Sequence, residues 1–461
     1  MKTIDFDVIV IGAGSGLRIS SKAAELGLKT ALIDEGPFGG TCLNRGCIPS
    51  KILIHCADVI EIIKNSKIFG IESKINKINW EKIQERVKNI VNSSARGIEE
   101  GNREDKNITV YKKRVEFVGN KLLKVGNELI TGKKIFICAG GRPFIPKIKG
   151  LEKINYITSD EALYLKKLPK KMAILGGGYI SAELCHLFSS FGVDVTIIYR
   201  GNKLLKHEDE EISNKYTEIA SKKYNLMLDT EVIEVNKKGK NILIKVKEKK
   251  VKNLVVDSLL ITTGRVPNTD ILKVEKSGIE TDKNGFVKVD EYLETNVENV
   301  FAIGDIVGKY LFKHSANLEA EYCAQNAFGN KAKVDYKAMP HAIFTSPQIA
   351  GVGYTEQELK EKGINYLKGE YKYIDTGMGI ALNDEDGFVK ILVDPSNKKI
   401  LGCHIIGSDA STLIHEVIVA MKNDLTVDQV ASTVHIHPAL SEVIQRACLS
   451  VVERVKNNEG I

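Results

Sequence analysis

Residues 7–16 read Asp7-Val-Ile-Val-Ile-Gly12-Ala-Gly14-Ser-Gly16, an apolar strand pattern that runs directly into a glycine-rich turn. The residues up to Leu26 are typical of a helix, and Lys29-Thr-Ala-Leu-Ile33 is typical of a second strand that ends at Asp34. Glycines let the backbone turn tightly and approach a pyrophosphate, to which a helix N-terminus presents N–H donors and a positive dipole. The stretch therefore predicts a βαβ unit that binds a dinucleotide.

The same pattern occurs a second time in residues 171–200. Met172-Ala-Ile-Leu175 precedes Gly176-Gly-Gly178, a helix is expected through Phe191, and Val193–Tyr199 has the composition of the next strand. A single glycine pair is weak evidence for a nucleotide site. Two such turns, each between a strand and a helix, predict an α/β protein with two Rossmann-like units.

A cysteine pair follows the first unit, in Gly39-Gly-Thr-Cys42-Leu-Asn-Arg-Gly-Cys47-Ile-Pro-Ser-Lys51. Cysteines five positions apart cannot bridge in a regular helix, so a bond between them requires a distorted turn, which Gly46 permits. A strained bond is more easily reduced, and a thiolate near a helix N-terminus is stabilised by the dipole. The alternatives are two buried structural thiols or half of a zinc site. No second pair with zinc-like spacing accompanies this one.

Length, charge and cysteine usage exclude several classes of protein. The chain has 461 residues, enough for about three domains, and a net charge of +7 with acidic and basic residues mixed. This charge pattern indicates neither a nucleic-acid partner nor a membrane surface. The N-terminus lacks the pattern of a signal peptide. Because eight cysteines are scattered over a long chain, we expect a reducing, cytoplasmic location.

The pattern changes in the last third of the chain. Val389–Val393 and Ile400–Ile406 are predicted to be antiparallel strands, followed by two helices around 409–422 and 440–455. We place domain boundaries near residues 150, 270 and 335. The second βαβ unit is then inserted within the first domain, and an α+β domain ends the chain.

These motifs together resemble those of the class I pyridine nucleotide-disulfide oxidoreductases, the family that includes dihydrolipoamide dehydrogenase, glutathione reductase and mycothione reductase. The resemblance covers essentially the whole chain, because further motifs occur in the family's order: Ala139-Gly140, Gly264-Arg265, Gly304-Asp305, Pro347–Gly353 and His437-Pro438. It implies an FAD domain (1–150 and 271–335), an NAD(P) domain (151–270) and an interface domain (336–461) in a homodimer.

The resemblance also implies roles for the catalytic residues. Cys47 would be the charge-transfer thiol beside the flavin, and Cys42 the interchange thiol that meets the substrate. Lys51 would lie by flavin N5 and pair with Glu183, stabilising negative charge on the reduced flavin. His437, oriented by Glu442, would move the thiol proton in the active site of the other subunit.

Matching positions assign the cofactor residues in the same way. Asp34 would accept a hydrogen bond from the adenosine ribose, and Asp305 would approach the ribitol chain. The NAD(P) unit has Arg200 and Lys206 after its second strand, where an NAD enzyme has a carboxylate, so we expect NADPH rather than NADH. The alternative is a solvated basic loop. The assigned glycines are Gly12, Gly14, Gly141 and Gly304 for FAD, and Gly176, Gly178 and Gly264 for NAD(P).

The sequence departs from the family pattern at three places. The first glycine turn lacks its third glycine, because Gly16 is followed by Leu17, and Ser181 replaces the third glycine of the second turn. Pro438-Ala439 stands where Pro-Thr is usual, as in mycothione-reductase-like members.

The function expected is reduction of a low-molecular-weight thiol disulfide by NADPH, through FAD and the Cys42–Cys47 pair. An NAD-dependent dihydrolipoamide dehydrogenase is the alternative, because the same catalytic residues serve both directions. Mercuric reductase is disfavoured because the C-terminal segment has Cys448 alone instead of a cysteine pair. A redox-inactive flavoprotein scaffold is the remote alternative, although neither cysteine of the pair is lost.

Overall fold

The computed structural model describes residues 3–456, so the end of the predicted interface segment, 457–461, lies outside the described residues. Residues 3–143 contain the strands and helices of the first glycine unit and of the cysteine motif. In chain order these are β1 (Thr3–Ile11), α1 (Leu17–Glu25), β2 (Thr30–Ile33), α2 (Gly40–Arg45), α3 (Cys47–Asn65), α4 (Trp80–Glu104), β3 (Ile108–Tyr111), β4 (Val115–Gly119), β5 (Leu122–Val125), β6 (Glu128–Ile137) and β7 (Gly141–Pro143).

Residues 157–328 contain the second glycine unit and the return to the first sheet. The elements are β8 (Ile157–Thr158), α5 (Ser159–Ala162), β9 (Lys171–Leu175), α6 (Tyr179–Ser190), β10 (Asp194–Ile198), α7 (Glu210–Lys223), β11 (Asn225–Met227), β12 (Glu231–Lys238), β13 (Asn241–Lys247), β14 (Val251–Val256), β15 (Ser258–Ile261), β16 (Arg265–Pro267), α8 (Thr269–Leu272), β17 (Val300–Ala302) and α9 (Lys313–Phe328).

The last part of the chain alternates strands with short helices before two longer ones. Its elements are β18 (Pro340–Ile343), β19 (Gln348–Gly353), α10 (Glu356–Lys362), β20 (Leu367–Lys372), α11 (Gly377–Leu382), β21 (Phe388–Val393), β22 (Ile400–Gly407), α12 (Ala410–Lys422), α13 (Val427–Ser432) and α14 (Glu442–Lys456). The predicted strands and both longer helices are therefore present. The short helices α10, α11 and α13 were not predicted.

The first sheet is built around β1, in the order β3-β2-β1-β6-β5-β4, and β17 also pairs with β6. Strands β2, β6 and β17 run parallel within it, and the hairpin strands β4 and β5 run antiparallel. The side chains of β1 alternate between two apolar clusters, with Ile9 and Ile11 on one face and Val8 and Val10 on the other. Both faces are covered, which explains the continuous apolar run in the sequence.

Strand β17 belongs to the first sheet, although it follows the second glycine unit in the chain. Val300–Ala302 pairs in parallel with Ile135–Ile137. Between them the chain forms a second, parallel sheet, β11-β10-β9-β15-β8, and a three-stranded antiparallel sheet, β12-β13-β14. This order supports the proposal that the second glycine unit is inserted in the first domain. The basic stretch around Lys245–Lys252 forms the β13–β14 hairpin.

The C-terminal part has one antiparallel sheet in the order β18-β19-β22-β21-β20. Helices α12 and α14 supply buried side chains to its core, among them Ile414, Val417 and Ile444. Helices α10 and α13 each begin at a capping box, on Thr355 and Thr426. The chain is thus a mixed α/β protein with two Rossmann-like units and an α+β C-terminal part.

Candidate active site

A cavity of about 1230 Å³ lies where the first glycine turn, α3, α6 and the N-terminal end of α9 meet. It brings together ten of the residues selected from the sequence: Gly12, Gly14, Asp34, Cys42, Cys47, Lys51, Gly141, Glu183, Gly304 and Asp305. The glycines and basic residues selected in the second unit do not line this cavity, and neither does the His437–Glu442 pair.

The first glycine turn is backed closely by its neighbours. Gly12 has a φ of +109°, and a Cβ there would lie 2.3 Å from the Cys138 carbonyl oxygen, so only glycine fits. A Cβ on Gly40, in the cysteine motif, would lie 2.8 Å from the Cα of Gly14. The cysteine motif therefore packs directly on the turn. Together they form a narrow backbone cradle at the start of α1, which fits a pyrophosphate.

Asp34 holds the glycine turn from the end of β2. Its Oδ2 accepts a hydrogen bond from the Ala13 backbone N–H at 2.7 Å, and its Oδ1 accepts one from Gly36 N–H at 2.7 Å. Burial raises the pKa of the Asp34 carboxyl, and these two backbone donors oppose the rise. Each oxygen keeps a lone pair for another donor. The bond to the turn is a contact that the sequence did not indicate.

Arg265 is a cavity residue whose role the sequence reading did not assign. Its Nε donates to Asp305 Oδ2 at 3.2 Å, and its Nη2 donates to the Gly141 carbonyl at 2.5 Å. The Arg265 side chain is 11% exposed. It thereby joins two predicted FAD residues. The neighbouring Gly264 accepts a hydrogen bond from Phe144 N–H at 2.9 Å, outside the cavity lining.

The cysteine pair lies at a break between two helices. Helix α2 ends at Arg45 and α3 begins at Cys47, so Gly46 interrupts the helix where the sequence predicted a distorted turn. A Cβ on Gly46 would lie 2.9 Å from the Thr41 carbonyl oxygen and 3.3 Å from the Cys42 Cα. The break therefore brings Cys42 back towards Cys47. Both are half-buried free thiols in this structure.

The pKa values of the two thiols are shifted in opposite directions. A hydrogen bond from the Cys42 thiol lowers the pKa of Cys47 to about 7, and the Lys51 ammonium contributes while burial opposes. The same hydrogen bond, together with burial, raises the pKa of Cys42. The pair titrates as a unit, and its first proton leaves near neutral pH. The resulting negative charge resides on Cys47, and the remaining proton on Cys42.

Lys51 and Glu183 connect the cysteine helix to the second glycine unit. Lys51 Nζ lies 2.9 Å from Glu183 Oε1 and 2.7 Å from Oε2, and it also lies 4.4 Å from the centre of the Phe344 ring. Glu183 Oε1 accepts a third hydrogen bond, from the Phe344 backbone N–H at 3.0 Å. The Glu183 side chain is 10% exposed, so this carboxylate is held in place on α6.

The second glycine turn has the backbone that its sequence predicts. Gly176 has a φ of +142°, and a Cβ there would lie 2.5 Å from the Thr262 carbonyl oxygen. Ser181, which replaces the third glycine, exchanges a hydrogen bond of 2.7 Å with the Thr262 hydroxyl. The loop after β10 folds back on this turn, because Leu205 N–H donates to Gly177 O at 2.7 Å.

Arg200 and Lys206 lie on this folded-back loop. Both are exposed, and neither forms an ion pair with a carboxylate within residues 3–456. Lys203, between them, is instead paired with Glu210 at 2.8 Å. These two cations, beside the second glycine turn, are therefore available to an anionic ligand.

His437 and Glu442 form a hydrogen-bonded pair on a separate surface. His437 Nδ1 lies 2.9 Å from Glu442 Oε1, and the Ala439 N–H donates to Glu442 Oε2 at 3.1 Å. The hydrogen bond with His437 lowers the pKa of Glu442. The His437 side chain is 76% exposed. The nearby Ile436 is also exposed, so nothing within residues 3–456 covers this surface.

The cavity residues fit FAD by their chemistry. The backbone cradle at Gly12 and Gly14 suits a pyrophosphate, and the fixed carboxylates Asp34 and Asp305 suit hydroxyl donors of ribose and ribitol. The same cavity extends to Cys47 and Lys51, next to which a redox-active ring would lie. Among residues 3–456 no cluster of His, Cys, Asp or Glu is arranged to hold a metal ion. Over the same residues, no helix has the length and apolar character needed to cross a membrane.

Comparison with known proteins identifies the family. Residues 6–327 match the sequence profile of the pyridine nucleotide-disulphide oxidoreductases, and residues 339–448 match the profile of their dimerisation domain. Mycothione reductase of Mycobacterium tuberculosis is 36% identical over 459 residues, covering 97% of this chain and 99% of that protein. Dihydrolipoyl dehydrogenase of Bacillus subtilis is 35% identical over 457 residues, covering 96% of each chain.

A solved structure of a flavoprotein disulfide reductase also matches this chain. The HOCl-induced flavoprotein disulfide reductase RclA from Escherichia coli superposes with a TM-score of 0.87 and 28% identity. The match covers 96% of this chain and 100% of that one. The chain therefore belongs to the pyridine nucleotide-disulphide oxidoreductases, a family of FAD-dependent enzymes that use a pyridine nucleotide.

Proposed function

We propose that the protein reduces the disulfide of a low-molecular-weight thiol with NADPH, through FAD and the Cys42–Cys47 pair. The observation that carries this proposal is the cysteine pair itself. It lies at a helix break, has one thiol with a pKa of about 7, and lines the cavity that fits FAD. A structural pair of buried thiols needs neither the acidic member nor the open cavity beside it.

FAD, when bound, supplies two-electron transfer between the nicotinamide and the cysteine pair. In the reduced pair, the hydrogen bond from Cys42 leaves the negative charge on Cys47, which Lys51 also stabilises. For disulfide reduction, Cys42 must lose its proton and attack one substrate sulfur, which releases the first thiolate. Cys47 then attacks the Cys42 sulfur and releases the second thiolate. Two protons balance the products, so one disulfide yields two thiols.

We assign the proton transfers to His437 of a second copy of the chain. The imidazole is exposed, is oriented by Glu442, and lies outside the lining of the cavity that contains Cys42 in its own chain. The dimerisation profile over residues 339–448 supports an assembly in which this surface meets a partner. The Glu442 carboxylate fixes the imidazole tautomer, since it accepts from Nδ1–H and leaves Nε2 to exchange a proton. A homodimer would thus have two complete sites.

The preference for NADPH is proposed from Arg200 and Lys206. Both cations are free of carboxylate partners among residues 3–456, and their loop is fastened to the second glycine turn through Leu205 and Gly177. A 2′-phosphate is the anion that distinguishes NADPH from NADH, and guanidinium and ammonium groups bind it favourably. We place the reaction in the cytoplasm, because a reducing compartment keeps the other six cysteines as thiols.

Sequence identity does not separate the two candidate reactions, since the mycothione reductase and the dihydrolipoyl dehydrogenase are 36% and 35% identical to this chain. The test is steady-state turnover of the purified yellow protein. NADPH and NADH oxidation is followed with lipoamide and a panel of small thiol disulfides, beside NAD reduction by dihydrolipoamide. Efficient NADPH oxidation with a small disulfide supports the proposal. Fast NAD reduction by dihydrolipoamide replaces it with the dehydrogenase.

Two variants test the central chemistry directly. We expect Cys42→Ser and Cys47→Ser each to abolish disulfide turnover while FAD stays bound, because either change removes one sulfur from the exchange. A matched Cys56→Ser variant, outside the cavity lining, should keep its turnover. Retained turnover in either of the first two variants would remove the pair from the mechanism. A parent protein without flavin-coupled thiols would instead indicate a redox-inactive scaffold.

A further inference from the structure

One of the lysines that line the cavity has no carboxylate partner within residues 3–456. Every other lysine that lines it lies within 3.3 Å of a carboxylate oxygen: Lys51 with Glu183, Lys113 with Glu128, Lys337 with Asp424, and Lys422 with Asp335. Lys313 lines the same cavity and has no carboxylate partner within residues 3–456. A half-buried ammonium without a counter-ion is unfavourable unless an anion shares its site.

Lys313 is held at the first glycine turn. It is the first residue of α9, and its Nζ donates to Ser15 Oγ at 2.8 Å. Ser15 Oγ in turn donates to Asn317 Oδ1 at 3.0 Å, one turn further along the same helix. This chain of hydrogen bonds fixes the position of the ammonium between α9 and the turn. The position is therefore set by the fold and not by a flexible surface side chain.

Cys42, Cys47 and Lys313 line the same cavity, and the charges of the two thiols act on the Lys313 ammonium. Burial lowers the pKa of Lys313, and the charges of Cys42 and Cys47 oppose that change. Arg18 acts in the same direction as burial, and Cys138 acts with the thiols. Lys313 thus interacts electrostatically with both thiols, and it has no carboxylate partner within residues 3–456.

Lys51 is the nearer cation to Cys47 along the chain, but its charge is largely balanced by Glu183. The charged groups that act on the Cys47 thiolate are then Cys42 on α2, Lys51 on the same helix, and Glu183 on α6. Tyr179, also on α6, faces it with a phenol whose pKa is raised to about 12 by burial, so it stays neutral near pH 7.

We propose that Lys313 is a positioning residue of the disulfide exchange: its unbalanced ammonium, fixed by Ser15 and Asn317, stabilises the thiolate of the reduced Cys42–Cys47 pair. This inference rests on the proposed function, because it needs the pair to cycle through the reduced state. Lys313 does not react. It favours loss of the first proton from the coupled pair near neutral pH, and the resulting thiolate completes the exchange.

The test is a pH titration of the thiolate in the two-electron-reduced holoenzyme, with no disulfide substrate present. Charge-transfer absorbance between the thiolate and FAD reports Cys47. The same titration is repeated on FAD-free protein by ultraviolet thiolate absorbance. This second signal reports the cysteine pair near neutral pH, because burial raises the pKa of each of the six other cysteines above its ordinary value. These six are Cys56, Cys138, Cys185, Cys323, Cys403 and Cys448.

We expect Lys313→Met to raise the titration midpoint by about one pH unit, the order expected for removal of one unit charge at a partly solvated site. Lys313→Arg keeps the charge and should stay close to the parent. Lys337→Met removes a cavity lysine that Asp424 already balances, and should also leave the midpoint unchanged.

An unchanged midpoint in Lys313→Met overturns the proposal, and so does an equal shift in Lys313→Arg. Weaker FAD binding with an unchanged thiolate midpoint also overturns it, because Lys313 would then serve the cofactor's phosphates. The titration requires no substrate. A substrate panel that fails to show disulfide reduction would therefore refute the proposed function without deciding the role of Lys313.

Discussion

Replacing Glu183 by glutamine is the change that most directly tests the electrostatics of the cysteine pair. Glu183 accepts two hydrogen bonds from Lys51 and one from Phe344 N–H, and its charge raises the pKa of Cys47 while that of Lys51 lowers it. Glutamine has nearly the same shape and keeps an acceptor for Lys51. The substitution therefore removes the opposing negative charge and leaves the positive charge in place.

The size of the effect follows from the geometry of α3. Cys47 and Lys51 are four residues apart on this helix, so their side chains lie about 5–6 Å from each other. At an effective dielectric constant of about 20, a unit charge at that distance is worth roughly 3 kcal/mol, or about two pH units. Glu183 lies beyond Lys51 and opposes it with about 2 kcal/mol. The intact ion pair therefore stabilises the thiolate by only about 1 kcal/mol.

Solvent screening reduces these values, because the Lys51 side chain is 34% exposed. Taking about half, we expect Glu183→Gln to lower the midpoint of the Cys47 titration by about one pH unit, from its parent value of about 7. Lys51→Met should move the midpoint in the opposite direction, since it leaves Glu183 unbalanced near the thiol. Midpoint shifts of opposite sign in these two variants are the result expected if the charges of Glu183 and Lys51 act on Cys47 in opposite directions.

The assay is ultraviolet thiolate absorbance of the reduced protein between about pH 5 and pH 9. The exposed Glu85→Gln on α4 is the matched control for loss of one carboxylate and should titrate like the parent. A midpoint that rises in Glu183→Gln, or that falls in Lys51→Met, would refute the reasoning. Loss of the same signal in Cys47→Ser confirms which sulfur is being titrated.

Three further predictions concern single residues. His437→Ala should slow disulfide turnover by about 10²–10⁴-fold, the usual scale for a positioned acid–base group, as measured by steady-state kinetics; an unchanged rate would make His437 structural. Arg200→Glu should shift the ratio of kcat/KM for NADPH over NADH towards NADH, because a carboxylate repels the 2′-phosphate. The control Lys240→Glu, on the exposed β12–β13 turn, should not change this ratio. A parent protein that already prefers NADH would contradict the cofactor argument. Gly46→Ala should slow exchange between the two sulfurs, since the added Cβ would lie 2.9 Å from the Thr41 carbonyl oxygen. If stopped-flow reduction of this variant is identical to that of the parent, the helix break is not required for the exchange.

Much of the candidate site was predictable because its signals are local. The glycine turn at Gly12, the second turn at Gly176 and the helix break at Gly46 each depend on a few adjacent residues whose backbone needs are visible in the sequence. Asp34 was selected for a ribose contact by its position after β2. Its bond to Ala13 N–H was not predictable, because that bond depends on how the β2 end packs against the turn.

Contacts between residues far apart in the sequence were either predicted from the family resemblance or not predicted. Lys51 and Glu183 are 132 positions apart, and Arg265 reaches Asp305 across 40. Lys313 meets Ser15 across 298 positions, and no pattern around either residue indicates the contact. Side chains this far apart meet because the chain returns to the first sheet through β17, after the second sheet, so that α3, α6 and α9 line one cavity.

Two glycine turns and a cysteine pair at a helix break could be predicted from the amino-acid order alone, because strand pattern, glycine freedom and cysteine spacing act over short distances along the chain. The folded structure was needed to show which charges balance each other in the cavity, and that His437 lies outside the lining of the cavity that contains the cysteines of its own chain. The physical reason is that ion pairing and burial depend on separations in space. Those separations follow from the packing of several units, which no single stretch of sequence specifies.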